Sequence, residues 1–152
     1  MEQKLVEALA DGRPGTHKQW MKIIIIIEGL FSMEGTIVNL PDVVRLKKKY
    51  KAYLYVDEAH SIGALGKTGR GICDHFGVDP REVDLLMGTF TKSFGSAGGY
   101  IAGKKVLIDY IRVNSHSFAY ASSMAAPIAQ QILSALKAIM SREGMQIGMI
   151  FH

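Results

Sequence analysis

The chain has 152 residues, 48% hydrophobic and 21% charged, with a net charge of +4. That length suffices for one domain with a core, while its longest pure aliphatic run falls far short of the ~20 residues a membrane helix needs. A single cysteine, Cys73, excludes an internal disulfide, and the absence of basic segments interleaved with aromatics argues against nucleic-acid binding.

The chain opens on "MEQKLVEALADG", which lacks a signal-peptide pattern and predicts a short helix over residues 1–11 with Leu5 and Leu9 on one face. "DGRPGTH" is a loop. "IIIII" at 23–27, between Lys22 and Glu28, predicts a strand over 22–28 buried on both faces. "GLFSMEGTIVNLP" is a glycine-bearing loop. Pro41 and Asp42 suit a first helical turn, and Val43, Leu46 and Tyr50 follow at helical spacing. The adjoining lysines, Lys47, Lys48, Lys49 and Lys51, are expected on a solvated helix face. "AYLYVDE" at 52–58 predicts a second strand, "SIGALGKTGRGI" a long glycine-rich loop, and residues 83–89 and 98–103 a third and a fourth strand. A helix is expected from Lys105 to about Val113, and a short strand over 117–123. The last helix carries Ile128, Ile132, Ala135, Leu136 and Ile139 on one stripe. The pattern is lost at 144–152, where an unstructured tail is expected.

Strands and helices thus alternate, with apolar runs rather than alternating strands. This predicts a single α/β domain, a mostly parallel sheet between two helical layers. Ligands of such sheets gather at the carboxyl ends of the strands. Asp57 and His60 close the second strand, Thr89 and Lys92 the third, and Ser32 follows the first.

Lys92, in "TFTKSFG", is the residue that calls for explanation. At a desolvated strand end a lysine becomes a nucleophile able to form a Schiff base. A carboxylate at a neighbouring strand end can hold a ring nitrogen protonated, and the two together suit pyridoxal phosphate. Thr89, Thr91 and Ser93 offer hydroxyls to a phosphate. The plainer alternatives are a loop lysine, an aspartate ending a strand as a turn residue, and a structural histidine. From spacing alone the two readings stand level. A third reading, a nucleoside-triphosphate loop at "GALGKTGRG" with Lys67 and Thr68, lacks the glycine spacing such loops use.

"EGLFSMEGTIVNLP", "KKKYKAYLYVDEAHSIGALGKTGRG", "VDLLMGTFTKSFGSAGGYIAG" and "HSFAYASSM" closely resemble the α-oxoamine synthase family of fold-type I pyridoxal-phosphate enzymes. "KKKYKAYLY" and "MGTFTKSFG" resemble its serine palmitoyltransferase branch, the catalytic long-chain-base subunits. The resemblance covers residues 15–143. It implies that Lys92 binds the cofactor aldehyde covalently, that Asp57 pairs with the pyridine nitrogen, and that His60 and Ser32 hydrogen-bond the 3-hydroxyl. It further implies that Thr89 contacts the phosphate and that Ser122 reaches the phosphate in a partner subunit. Ala126 stands where the family has a second proline.

The activity so implied is condensation of L-serine with palmitoyl-CoA to 3-ketosphinganine, with loss of CO2 and coenzyme A, in sphingolipid biosynthesis at the cytosolic face of the endoplasmic reticulum membrane. The partners so implied are L-serine, a long-chain acyl-CoA and a second long-chain-base subunit, with no nucleic acid. The alternatives are an α-oxoamine synthase using glycine or alanine, or a non-catalytic interaction fragment. The family's core is much longer than 152 residues. Its phosphate loop, ring-stacking histidine, carboxylate-binding arginine and membrane anchor are therefore expected outside this chain, which is expected to be a central fragment inactive alone.

Overall fold

The computed structural model describes residues 1–141 and 144. A four-stranded sheet runs in the order β1 (Ile24–Glu28), β4 (Tyr53–Asp57), β5 (Leu85–Thr89), β6 (Gly99–Gly103). The first three strands are parallel and β6 is antiparallel to β5. Between β1 and β4 lie a two-residue hairpin, β2 (Leu30–Phe31) with β3 (Thr36–Ile37), and helix α2 (Leu40–Tyr50). The hairpin falls within the segment expected to be a plain loop. Two-residue strands carry no readable alternation, so nothing in the sequence marks them.

Helix α2 starts where its chemistry predicts. The Asn39 side chain accepts from the Asp42 amide, Pro41 lies in the first turn, and Lys51 ends the helix at φ 50. Its lysines are not one solvated face. Lys47 lies 2.7 Å from the Asp84 carboxylate with only 15% of its side chain exposed, and Lys48 and Lys49 pair with Glu82 and Glu2. Asp84 also accepts the Leu54 amide at 2.8 Å, so this pair joins α2 to the sheet.

Helix α1 (Glu2–Asp11) buries Leu5, whereas Leu9 is exposed. The core lies on one face of the sheet, where Leu40, Leu54, Val56 and Ile72 are completely buried. Ile25 and Ile27 join it, but Ile24 and Ile26 are 58% and 69% exposed. The expectation of a strand buried on both faces is thus corrected. Register puts Ile24 beside Tyr53 on the second face, and no described helix covers that end. At the other end α4 (Lys105–Asn114) lies beside the second face, where Ile108 and Ile111 share a cavity wall with Met87 of β5 while Ile101 stays 46% exposed. Helices on both faces of a mostly parallel sheet give the expected α/β architecture.

Residues 117–123 do not form a strand. Helix α5 (His116–Tyr120) occupies them, followed by extended chain. Lacking a neighbouring strand, this segment satisfies its amides locally: Ala119 donates to the Ser115 carbonyl and Ala121 to that of Ser117. A short helix, α3 (Ile72–Phe76), also follows the glycine-rich loop. The final helix, α6 (Ala126–Ile139), buries Ile132 and half-buries the rest of its predicted stripe. Pro127 in its first turn starts it without a second proline. No described helix is long and apolar enough to cross a membrane. Apart from residue 144, the expected tail lies outside the described residues.

Candidate active site

Strand β4 ends in a carboxylate whose direction follows from the two-residue period. Register sets Asp57 opposite Met87 of β5 and Glu28 of β1. It therefore shares the sheet face of Met87 and Thr89, opposite the core that holds Val56. Asp57 Oδ1 accepts the Ala59 amide at 2.8 Å, which fixes the carboxylate in a turn and leaves Oδ2 for another donor.

Beyond β5 the chain makes a tight loop back into β6. Thr89 organises it: Oγ1 lies 2.8 Å from Thr91 Oγ1, accepts the Thr91 amide at 3.2 Å and donates to the Gly98 carbonyl at 3.1 Å. The Phe90 amide also reaches Gly98 O and the Gly95 amide reaches Lys92 O, both at 2.9 Å. Gly95 and Gly98 have φ 56 and 88, where a side chain would be strained. Phe94 anchors the loop in the interior at 2% exposure, edge-on to Phe90. The expectation of a desolvated strand end is corrected here: Lys92 lies in the turn after β5, is exposed, and forms no ion pair among the described residues.

A cavity of about 790 Å³ opens beside these strand ends, walled by Ala59, Thr89, Lys92, Tyr100, Arg112 and Ser115 among others. Of the residues singled out from sequence, Lys92 and Thr89 line it. Asp57 and His60 are not in its wall, although Ala59, between them in the chain, is. Ser32, at the tip of the β2–β3 hairpin, and Ser122, beyond α5, are exposed and outside its wall. Ala59 went unread, although it stands two positions after Asp57, the strand's own period. Tyr100 was also missed. Its ring lies over Gly88, where a Cβ would come within 2.5 Å of the phenol oxygen. Burial, then the nearby Glu58 charge, push the Tyr100 phenol up to about 12.

Glu58 itself is 2% exposed, and burial pushes its carboxyl up to about 7 against the opposing hydrogen bonds from the Ile72 and Cys73 amides. Cys73 is buried, and burial followed by the charges of Glu58 and Asp79 raises its thiol to about 12, so it is an inert thiol. The triphosphate reading of "GALGKTGRG" fails on geometry. The Thr68 amide and hydroxyl both donate to Asp74 Oδ2 at 2.8 Å, so an internal carboxylate occupies the donors a phosphate would use.

A carboxylate thus ends β4, and a lysine stands in the turn after the adjacent parallel strand β5, next to an antiparallel edge strand. The chain belongs to the aminotransferase class I and II family, whose model matches residues 3–148. Among curated proteins it is 61% identical over 149 residues to human serine palmitoyltransferase 3, covering 98% of this chain and 27% of that protein. It is 56% identical over 148 residues to serine palmitoyltransferase 2 of Dictyostelium discoideum, covering 97% and 30%. The chain therefore spans less than a third of the length of these relatives. Among solved structures, SPT with a PLP internal aldimine superposes with a TM-score of 0.77 at 26% identity, over 93% of this chain and 34% of that one. The 8-amino-7-oxononanoate synthase of Francisella tularensis gives a TM-score of 0.69 at 27% identity, over 90% and 38%.

Proposed function

We propose that this chain is the lysine-bearing central part of a pyridoxal-phosphate-dependent acyltransferase that condenses L-serine with palmitoyl-CoA. The observation that carries the reading is that Lys92, Thr89 and Ala59 line one cavity at the carboxyl ends of β4 and β5, with Asp57 on the same sheet face as Thr89 and hydrogen-bonded to the Ala59 amide. The donor set fits the cofactor: an amine without an ion pair among the described residues for its aldehyde, a carboxylate oxygen for its ring nitrogen, and the small methyl of Ala59 in the cavity wall. The names of the relatives, serine palmitoyltransferases of animal and amoeba, support the choice of substrates.

Bound pyridoxal phosphate supplies an electron sink for the pair released at Cα of the amino acid. Asp57 keeps the proton on the ring nitrogen that this sink requires. Lys92 Nζ would hold the cofactor through its aldehyde and, as a free amine, would take the Cα proton of L-serine as general base. Overall the reaction would join Cα of L-serine to the acyl carbonyl of palmitoyl-CoA, with coenzyme A and CO2 released and a proton returned to Cα, to give 3-ketosphinganine. The resemblance assigns the cofactor 3-hydroxyl to His60 and Ser32 and its phosphate to Thr89; of the three, Thr89 lines the cavity. Ser122, exposed after α5, suits a contact across a subunit interface with a second long-chain-base chain. The working enzyme belongs on the cytosolic face of the endoplasmic reticulum membrane. Assay of the full-length chain with L-serine, glycine and L-alanine tests the reading. Serine should give ketosphinganine by mass spectrometry, and preference for glycine or alanine would move the chain to another α-oxoamine synthase activity.

A further inference from the structure

Glu58 belongs to no part of that mechanism. It follows Asp57 in the chain, so it points to the opposite face, into the core. There its Oε1 accepts the Ile72 amide at 2.9 Å, and the Cys73 amide donates as well. Gly71, at φ 81, makes the approach possible: a Cβ there would come within 2.7 Å of Oε1. The carboxyl thus joins residue 58 to residues 71–73 and closes the base of the whole glycine-rich loop.

The loop is cross-bonded above that base. The Gly63 amide donates to Gly69 O at 2.8 Å, the Gly71 amide to Leu65 O at 3.0 Å, and Ile62 bridges Arg70. Its wall then meets the lysine turn. A Cβ on Gly63 would lie 2.6 Å from the Cβ of Ser93 and 3.4 Å from the ring of Phe94. Ser93 adjoins Lys92, and Phe94 is the buried anchor of the same turn. Continuous contact therefore runs from the Glu58 carboxyl through the loop to the residue beside Lys92, and the Glu58 backbone is bonded to Asp57.

We propose that Glu58 is a positioning residue: by holding the 59–71 loop closed it sets the turn that carries Lys92 against the strand end that carries Asp57. The proposal rests on the cofactor reading only for its relevance to catalysis, and the contact chain can be tested without cofactor.

The experiment is amide hydrogen exchange of the full-length chain at pH 8, cofactor-free and cofactor-loaded, for wild type and Glu58→Gln. Glutamine keeps the shape but offers one acceptor oxygen, and its NH2 group faces one of the two amides. Exchange should quicken about tenfold or more over 59–73 and also over 91–95, with 24–28 and 53–56 unchanged. In the loaded protein the pH at which the cofactor's visible band titrates should move as well, a signal that a merely structural carboxyl would leave alone. Opening of 59–73 with 91–95 fully protected would overturn the proposal, as would no change in either segment. Should the variant not fold, wild type in mild denaturant decides: one shared opening free energy for 59–73 and 91–95 supports the linkage, and two distinct ones refute it. Absence of a visible band in loaded wild type would sink the cofactor reading and leave the exchange result standing.

Discussion

Asp57 and Glu58 are consecutive acids that face opposite sides of the sheet. Asp57 is half-buried and accepts the amide of Ala59, which lines the cavity, while Glu58 is 2% exposed and bonded to the Ile72 amide at 2.9 Å. One dipeptide thus places a carboxylate where a ligand can use it and another where only backbone amides can. Strand alternation separates the roles, so substitutions at the two positions should fail differently.

Lys92→Ala in the full-length chain should abolish borohydride-trappable cofactor while leaving the fold intact. Lys92 is exposed and contributes no ion pair among the described residues, so little stability depends on it. Peptide mapping after reduction checks this. Trapped label at Lys67 or Lys104 would transfer the anchor elsewhere.

Asp57→Asn preserves the turn, because the amide oxygen can still accept from Ala59. It removes the anion that holds the pyridinium proton. Turnover should fall by several powers of ten, each tenfold being ~1.4 kcal/mol of barrier, with little change in melting temperature. Activity close to wild type would reduce Asp57 to a turn residue.

These two positions were legible because strand ends leave strong signals: an apolar run that stops, a polar group at the stop, small residues after it. The sheet, α2, α4 and α6 were legible for the same reason of sustained period. The 117–123 segment was misread because "SFAYASS" has strand-like residues but no partner strand, a property of the neighbourhood and not of the segment. Ile24 and Ile26 were misread because a run of identical apolar residues does not reveal which of its faces is covered. Lys47 looked like its neighbours in the lysine run, and only the fold brings Asp84 to it. Glu58 was hidden by its motif, since an acid beside Asp57 gives no hint of the Ile72 and Cys73 amides it meets on the far side.

The 152-residue chain alone should not make ketosphinganine from L-serine and palmitoyl-CoA. Ile24 and Ile26 are 58% and 69% exposed along an edge strand, and such an edge invites association. A soluble, monodisperse preparation with steady turnover by mass spectrometry would show that these residues hold a complete site.

Lys47→Met should loosen α2 from the sheet. The ammonium lies 2.7 Å from both Asp84 Oδ2 and the Glu82 carbonyl, and Asp84 is 18% exposed. Removing the cation leaves a largely buried carboxylate held only by the Leu54 amide, a loss of about 2–3 kcal/mol after allowance for partial exposure. Faster exchange at β4 amides checks it. Lys47→Met with Asp84→Asn should recover much of the loss, and equal instability of the double variant would show that the ion pair is not what holds the helix.

The Glu58 carboxyl gives a pH dependence whose sign can be worked out. Its ordinary value is 4.5, and burial raises it to about 7 in the folded chain, so folding favours the protonated form. Above 4.5 the unfolded chain releases this proton while the folded chain keeps it, so the folded state binds more protons and stability falls as pH rises. The contribution is fully present below about 4.5 and lost as pH passes about 7; the gap corresponds to roughly 3 kcal/mol. Two titratable neighbours feel this charge, Cys73 and Tyr100. Both are pushed up to about 12 and stay neutral throughout the window. Glu58→Gln removes the titration. Melting temperatures of the full-length chain between pH 5 and 8.5 should therefore show wild type losing several degrees relative to Glu58→Gln as pH rises. Parallel curves for the two proteins would mean that Glu58 stays ionised across this range, with its two amide donors outweighing burial.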